Sequence, residues 1–306
     1  MPSIPAPLLD LAATLSCGQA FRWRPATDGW WDGVVGDRAL RVRHVGGRLE
    51  FEGDLPASEV ARYFALDHDL PAIYGDMRAA SGNDEHLARA IFDYCGLRVL
   101  RQPPWETLAT FIVTANNNVP RIAGIIDSLC RCYGEPMEGD AYGFPSPAAL
   151  CETTLVGLKE CGLGYRAAQL KAAAQSVEWG LVDLDALPRM PIEAAREALL
   201  AGVCGWKVLP GVGDKVADCV LLFGLGFTSA VPVDRNVAQL WAALYTQDET
   251  AKKEGIAWNS SKSPTAYRQV SRRFGERFGR HAGYAQQYLY HWWRKTGKKA
   301  CDSTSA

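Results

Sequence analysis

The segment 208–234, VLPGVGDKVADCVLLFGLGFTSAVPVD, constrains this chain more than any other. It opens on Leu209-Pro210-Gly211-Val212-Gly213, two glycines around one apolar residue. That pattern permits a backbone hairpin which Cβ atoms would obstruct. The small and apolar run Val216, Ala217, Val220, Leu221 then has the spacing of a buried helix. The hairpin therefore feeds a helix N-terminus, whose unpaired N–H groups hold an anion, typically a phosphate, without a basic side chain. Gly211, Gly213 and Val216 are the expected phosphate contacts. Lys215 falls in the first turn of that helix, and Asp234 closes Val231-Pro232-Val233-Asp234 further on.

The chain has 306 residues, enough for one large domain or two ordinary ones, and its 48% hydrophobic and 22% charged residues indicate a globular protein. No apolar run approaches the ~18 residues of a membrane span. The N-terminus, MPSIPAPLLDLAATL, has no basic region before an apolar core, so no secretory signal is expected. Nine cysteines at scattered positions fit reduced intracellular thiols better than a disulfide framework. They form no four-cysteine cluster after the hairpin region, and neither a metal nor a cofactor is expected. Formal net charge is −1, yet the charges are segregated. Residues 50–93 hold ten acids against three arginines, and residues 262–299 hold ten Lys/Arg against one acid, Glu276. A local field of that kind suffices for phosphate binding, whatever the total.

The first hundred residues pattern as a small sheet with helices. Phe21–Arg24 and Trp31–Val35 flank a Pro-, Asp- and Gly-rich turn, Leu40 and Val42 alternate with Arg41 and Arg43, and Gly46-Gly47 turns the chain into Arg48–Glu52. Segments 57–66 and 83–95 have helical spacing. The character changes around Arg98–Pro104, where Pro103-Pro104 opens a helix. From there, 104–116, 119–133, 147–155, 166–180, 192–202, 213–225, 235–246, 264–279 and 283–295 have helical period. The reading is α+β: residues 1–98 a sheet domain with helices, 99–299 a helical domain, 300–306 a flexible tail.

Leu-Pro-Gly-Val-Gly-x-Lys-Val-Ala-Asp-Cys followed by Val-Pro-Val-Asp resembles the helix-hairpin-helix DNA glycosylases of the Gly/Pro-Asp type, and specifically the 8-oxoguanine DNA glycosylases. The resemblance runs from Leu8 to about Lys295. It implies an N-terminal antiparallel β-domain packed on a helix-hairpin-helix glycosylase domain, with the active site in the cleft between them. It also implies a monomer whose partner is double-stranded DNA carrying an oxidised guanine. The short N-terminus points to a prokaryotic cytoplasm; a eukaryotic protein would be nuclear.

Excising a base breaks the bond from C1′ to the base nitrogen. An uncharged lysine amine attacks C1′ and forms a Schiff base. A helix N-terminus and apolar surroundings both favour a neutral amine, and Lys215 has the first by position and the second by its neighbours. Asp234 precedes a helix start and so reads as an N-cap. The resemblance adds that its carboxylate stabilises positive charge developing on the sugar, the electrostatic logic of glycoside cleavage.

The base must leave the stack for a pocket. Ser16–Trp23 resembles the part of the family's pocket in which the Gly18 carbonyl accepts the N7 proton that only the oxidised purine carries. Gln286 and Tyr290, four apart on one helix face, would pair with the base edge and stack on it; Cys219 would meet its other face. Ala115-Asn116-Asn117-Asn118-Val119-Pro120-Arg121 and Cys161-Gly162-Leu163-Gly164-Tyr165-Arg166 resemble the elements that fill the vacated stack. Asn116 and Tyr165 would intrude there, and Arg121 and Arg166 would read the orphaned base. Three positions depart from the family pattern. Asn236 stands where animal members typically carry a phosphate-touching histidine, so it is expected to donate to a phosphate as an amide. Asp214 sets an acid beside the hairpin. Trp293 stands where an acid is expected near the pocket. Two other readings remain at this stage: a superfamily glycosylase for other damaged bases, against which Lys215 counts, and a non-catalytic helix-hairpin-helix DNA-binding protein.

Overall fold

The structure is a computed structural model that describes residues 1–203, 206–246 and 264–297. Period-2 alternation across residues 31–53 builds the centre of a five-stranded antiparallel sheet, in the order β1-β5-β4-β3-β2. Its strands are β1 Ser3–Pro5, β2 Arg24–Pro25, β3 Trp31–Val35, β4 Arg38–Val45 and β5 Arg48–Gly53. Leu40, Val42, Leu49 and Phe51 are buried on one face. The other carries charge pairs, with Arg43 2.6 Å from Glu50 across β4 and β5. The strand expected at Phe21–Arg24 shrinks to Arg24–Pro25, because Trp23 turns its ring into the core and its indole N–H to Tyr63.

The apolar face packs on α1 Leu11–Ser16 and α2 Ala57–Tyr63 through Leu11, Leu15, Val60 and Tyr63. Next come α3 Leu70–Ser81 and α4 Glu85–Asp93. Helix α3 lies outside the helical segments expected from spacing. Its signals are local: the Asp69 carboxylate caps Ala72 N–H, and Gly82 ends it in the left-handed region. Both helices bury Leu70, Ile73, Met77, Leu87 and Ile91 in the large helical core rather than under the sheet. That core is completed by α5 Pro104–Val113, α6 Val119–Tyr133, α7 Pro147–Glu152, α8 Leu155–Glu160, α9 Arg166–Glu178, α10 Ile192–Leu200, α11 Asp214–Cys219, α12 Arg235–Tyr245, α13 Pro264–Phe278 and α14 Ala282–Trp292. The helix expected over 213–225 is split: α11 gives way to a π-helical turn, Val220–Gly224. The tail at 300–306 lies outside the described residues.

The segregated charges meet one another. Arg277 and Arg280 of the basic stretch lie 2.5 Å from Asp84 and Asp76 of the acidic one. Two of the arginines expected to face phosphate thus tie the C-terminal helices to α3 and α4 instead. Lys262, Lys298 and Lys299 lie outside the described residues.

Candidate active site

The hairpin forms as a turn, with Val212 N–H donating to the Leu209 carbonyl at 3.2 Å. The two glycines do different work. Gly211 adopts φ +86°, which side chains resist, and a Cβ there would come within 3.0 Å of Gln169. Gly213 is extended, and a Cβ on it would meet nothing within 4 Å. The expected obstruction therefore applies to Gly211; at Gly213 the missing Cβ only keeps the space outside the hairpin open. No side chain caps the start of α11. Asp214, the acid beside the hairpin, has its carboxylate 3.3 Å from Arg268 of α13, which offsets its charge.

Lys215 is half-buried. Its Nζ donates to Thr114 Oγ1 at 2.7 Å and lies 5.1 Å from the centre of the Phe111 ring. Asp234 does cap its helix: Oδ1 accepts from Val237 N–H at 2.8 Å, while Oδ2 accepts from the Asn236 amide at 3.3 Å. Asn236, expected to donate to a phosphate, is thus turned on Asp234. Cys219 is buried one turn after Lys215, and its thiol feels the charges of Lys215, Asp218 and Asp234. Burial pushes that thiol up to about 12, so Cys219 is a neutral wall.

The Cys17-Gly18-Gln19 turn packs against α14. Gln19, 1% exposed, anchors it: its amide donates to the Thr14 and Arg98 carbonyls, both at 2.8 Å, and its carbonyl accepts from Leu100 N–H at 2.9 Å. Gly18 is held at φ +89° against α14, where a Cβ would lie 3.8 Å from Tyr290 Oη. Gln287 donates to the Cys17 carbonyl at 3.4 Å. Tyr290, which packs against Gly18, is pushed up to about 12 by burial and then by the charge of Asp234. Gln286 is 4% exposed, and its Oε1 is buried without a hydrogen-bond partner. A buried acceptor left open costs about 1–3 kcal/mol, a cost relieved when a donor enters.

The two loops expected to fill the stack are joined. Asn116 is exposed at φ +50°, and Asn118 caps α6. Tyr165 is 58% exposed and Arg121 is exposed. Arg166 is not: its Nε donates to the Ala115 carbonyl at 2.8 Å and its Nη2 to Asn116 at 3.2 Å, and its guanidinium stacks on Tyr165 at 4.5 Å. Of the two arginines, only Arg121 presents a free fork to solvent among the described residues; Arg166 straps one loop to the other.

The family models agree with this architecture. Residues 3–108 match the 8-oxoguanine DNA glycosylase N-terminal domain, and residues 109–262 match the HhH-GPD superfamily of base excision DNA repair proteins. The chain belongs to the 8-oxoguanine DNA glycosylase family. As an N-glycosylase/DNA lyase it has well-covered relatives. The Arabidopsis thaliana N-glycosylase/DNA lyase OGG1 is 29% identical over 92% of this chain and 76% of its own length. A solved structure of MBOgg1 with a low-affinity DNA ligand is 30% identical, with TM-score 0.80 over 94% of this chain and 93% of that one. The Clostridium acetobutylicum 8-oxoguanine glycosylase/lyase, bound to duplex DNA with cytosine opposite 8-oxoG, is 28% identical, with TM-score 0.78 over 94% and 93%.

Two parts of this glycosylase's site escape the sequence reading. Thr114 meets Lys215 across 101 residues, and no local signal links them. Arg294 does have a signal, since Gln286, Tyr290 and Arg294 recur every fourth residue on one helix face. Its guanidinium lies 5.4 Å from the Tyr290 ring and beside Gly18. Trp293, where an acid is expected, is 9% exposed and packs in the core.

Proposed function

We propose that this glycosylase excises 8-oxoguanine from duplex DNA and cleaves the strand through a Schiff base on Lys215, preferring lesions opposite cytosine. The observation that carries the reading is a lysine amine aimed by Thr114 and an aspartate fixed at both oxygens, together with a Gly18 turn packed against Tyr290. Lys215 Nζ forms its bond to C1′ as the bond to the base breaks, with the bond electrons leaving on the base. Asp234 supplies negative charge to the sugar without moving, since both its oxygens are already fixed. The flipped base fits between Cys219 and Tyr290. The open Gln286 oxygen accepts from its pairing edge, and the Gly18 carbonyl accepts the N7 proton that guanine lacks. The backbone amides of Gly211, Gly213 and Val216 hold a phosphate and set the register. The complex of the Clostridium relative supports the lesion and the partner base.

Borohydride trapping on 8-oxoguanine duplex tests the chemistry. The unmodified protein should form a stable crosslink. Lys215→Gln should lose crosslink, excision and strand cleavage together, with binding to the damaged duplex held within about threefold, because the hairpin, Gly18 and Gln286 are untouched. A crosslink persisting in Lys215→Gln would assign the chemistry to another amine.

A further inference from the structure

Asp218, in the turn of α11 after Lys215, is a carboxylate with 0% exposure. Burying a charge is costly unless it is paired, and an apolar residue would pack this helix more cheaply. Its Oδ1 faces Arg196 of α10 at 2.5 Å but without hydrogen-bond alignment. The aligned bond comes from the buried Tyr267 hydroxyl of α13, 2.5 Å from Oδ2. That hydroxyl also accepts from Val233 N–H at 3.3 Å, and lies 3.3 Å from the Val231 carbonyl and 3.4 Å from the Asp214 carbonyl. One oxygen therefore touches the backbone of the residue just before Lys215 and of the residue just before Asp234. The helix carrying the amine and the segment carrying the carboxylate meet there.

We propose that Tyr267 and Asp218 are positioning residues for base excision: a buried hydroxyl–carboxylate pair that sets the Asp234 segment against the Lys215 helix. The inference rests on the reading of Lys215 and Asp234 given above. Neither residue reaches the substrate. The carboxylate fixes the hydroxyl, the hydroxyl fixes Val233 N–H, and that backbone group sets the start of α12, which Asp234 caps. Displacement by about 1 Å between reacting groups costs up to a hundredfold in rate, so a single lost bond at this junction is felt in turnover rather than in binding.

Single-turnover excision from 8-oxoguanine duplex, normalised to the fraction of protein that borohydride traps, tests this. Tyr267→Phe keeps the ring and removes the oxygen. It should excise at least about tenfold more slowly per active molecule, with duplex affinity within about twofold of the unmodified protein. Asp218→Ala should match it. Asp218→Asn, which retains an oxygen to accept the hydroxyl, should recover most of the loss. A merely structural role would lower the trapped fraction or the melting temperature and leave the rate per active molecule alone. Tyr267→Phe excising at the unmodified rate, or losing rate only in proportion to affinity, would overturn the proposal. If Tyr267→Phe does not fold, equal rates for Asp218→Ala and Asp218→Asn would overturn it. Failure of the unmodified protein to trap at all would instead sink the Lys215 reading.

Discussion

Lys215 Nζ donates a 2.7 Å hydrogen bond to Thr114 Oγ1. The Thr114 hydroxyl spends its own proton on the Phe111 carbonyl, also at 2.7 Å, so its oxygen can face the amine only as an acceptor. The nitrogen is thereby aimed from the end of α5 rather than by an ion pair with Asp234. Removing the acceptor should cost about 1–1.5 kcal/mol if the bond orients the uncharged attacking amine, which is roughly five- to tenfold in rate. Thr114→Val should therefore slow trapping and excision by that factor at unchanged duplex affinity, and Thr114→Ser should restore most of the rate. Full speed in Thr114→Val would mean that packing on Phe111 aims the amine by itself.

That contact also marks where sequence reading stops. The hairpin, the helix start at Lys215, the Asp234 cap and the shared helix face of Gln286 and Tyr290 are legible because each depends on spacing within one segment, whereas the Gly18 turn rests on the family resemblance. Thr114, Tyr267 and Arg196 act across 101, 49 and 22 residues, and nothing local announces which partners the fold will choose. The charge segregation was legible but its use was not. A run of arginines reads as a phosphate-binding face until the structure sets Arg277 and Arg280 on Asp84 and Asp76. Helix α3 is the opposite case, since its Asp69 cap and Gly82 stop stand plainly in the sequence; its polar interior residues weaken the apolar period.

The two arginines expected at the orphaned base have different surroundings, which separates their roles. Arg121 is exposed, whereas Arg166 is 5% exposed and committed to the carbonyls of Ala115 and Asn116. Unpaired cytosine offers acceptors at N3 and O2, while adenine sets a donor amine against a guanidinium. The unmodified protein should process lesions opposite cytosine at least about tenfold faster than opposite adenine, the worth of one charged hydrogen bond. Arg121→Ala should reduce that ratio to about threefold or less. Arg166→Ala should slow excision opposite every base by loosening both loops, while keeping the ratio. Rates opposite all four bases decide it; loss of preference in Arg166→Ala alone would exchange the two roles.

His291 follows Tyr290 in α14 and gives the fold a titrating weakness. It is 3% exposed, with its ring 4.4 Å from that of Tyr94. Burial, and then the nearby Lys295 and Arg294, push it down from 6.5 to about 4. The folded protein therefore keeps the imidazole neutral where the unfolded chain would protonate it. Its contribution to stability is complete above the unfolded value near 6.5 and is lost as pH falls towards 4. Allowing for partial solvation, the loss between pH 7.5 and pH 5 is on the order of 1 kcal/mol, or roughly 2–4 °C in melting temperature. His291→Phe keeps a ring against Tyr94 and cannot titrate. Its melting temperature should fall less than that of the unmodified protein over the same range, by about that margin. Thermal melts of both proteins at pH 7.5, 6 and 5 make the comparison; parallel curves would mean that water reaches the imidazole and that it protonates as freely folded as unfolded.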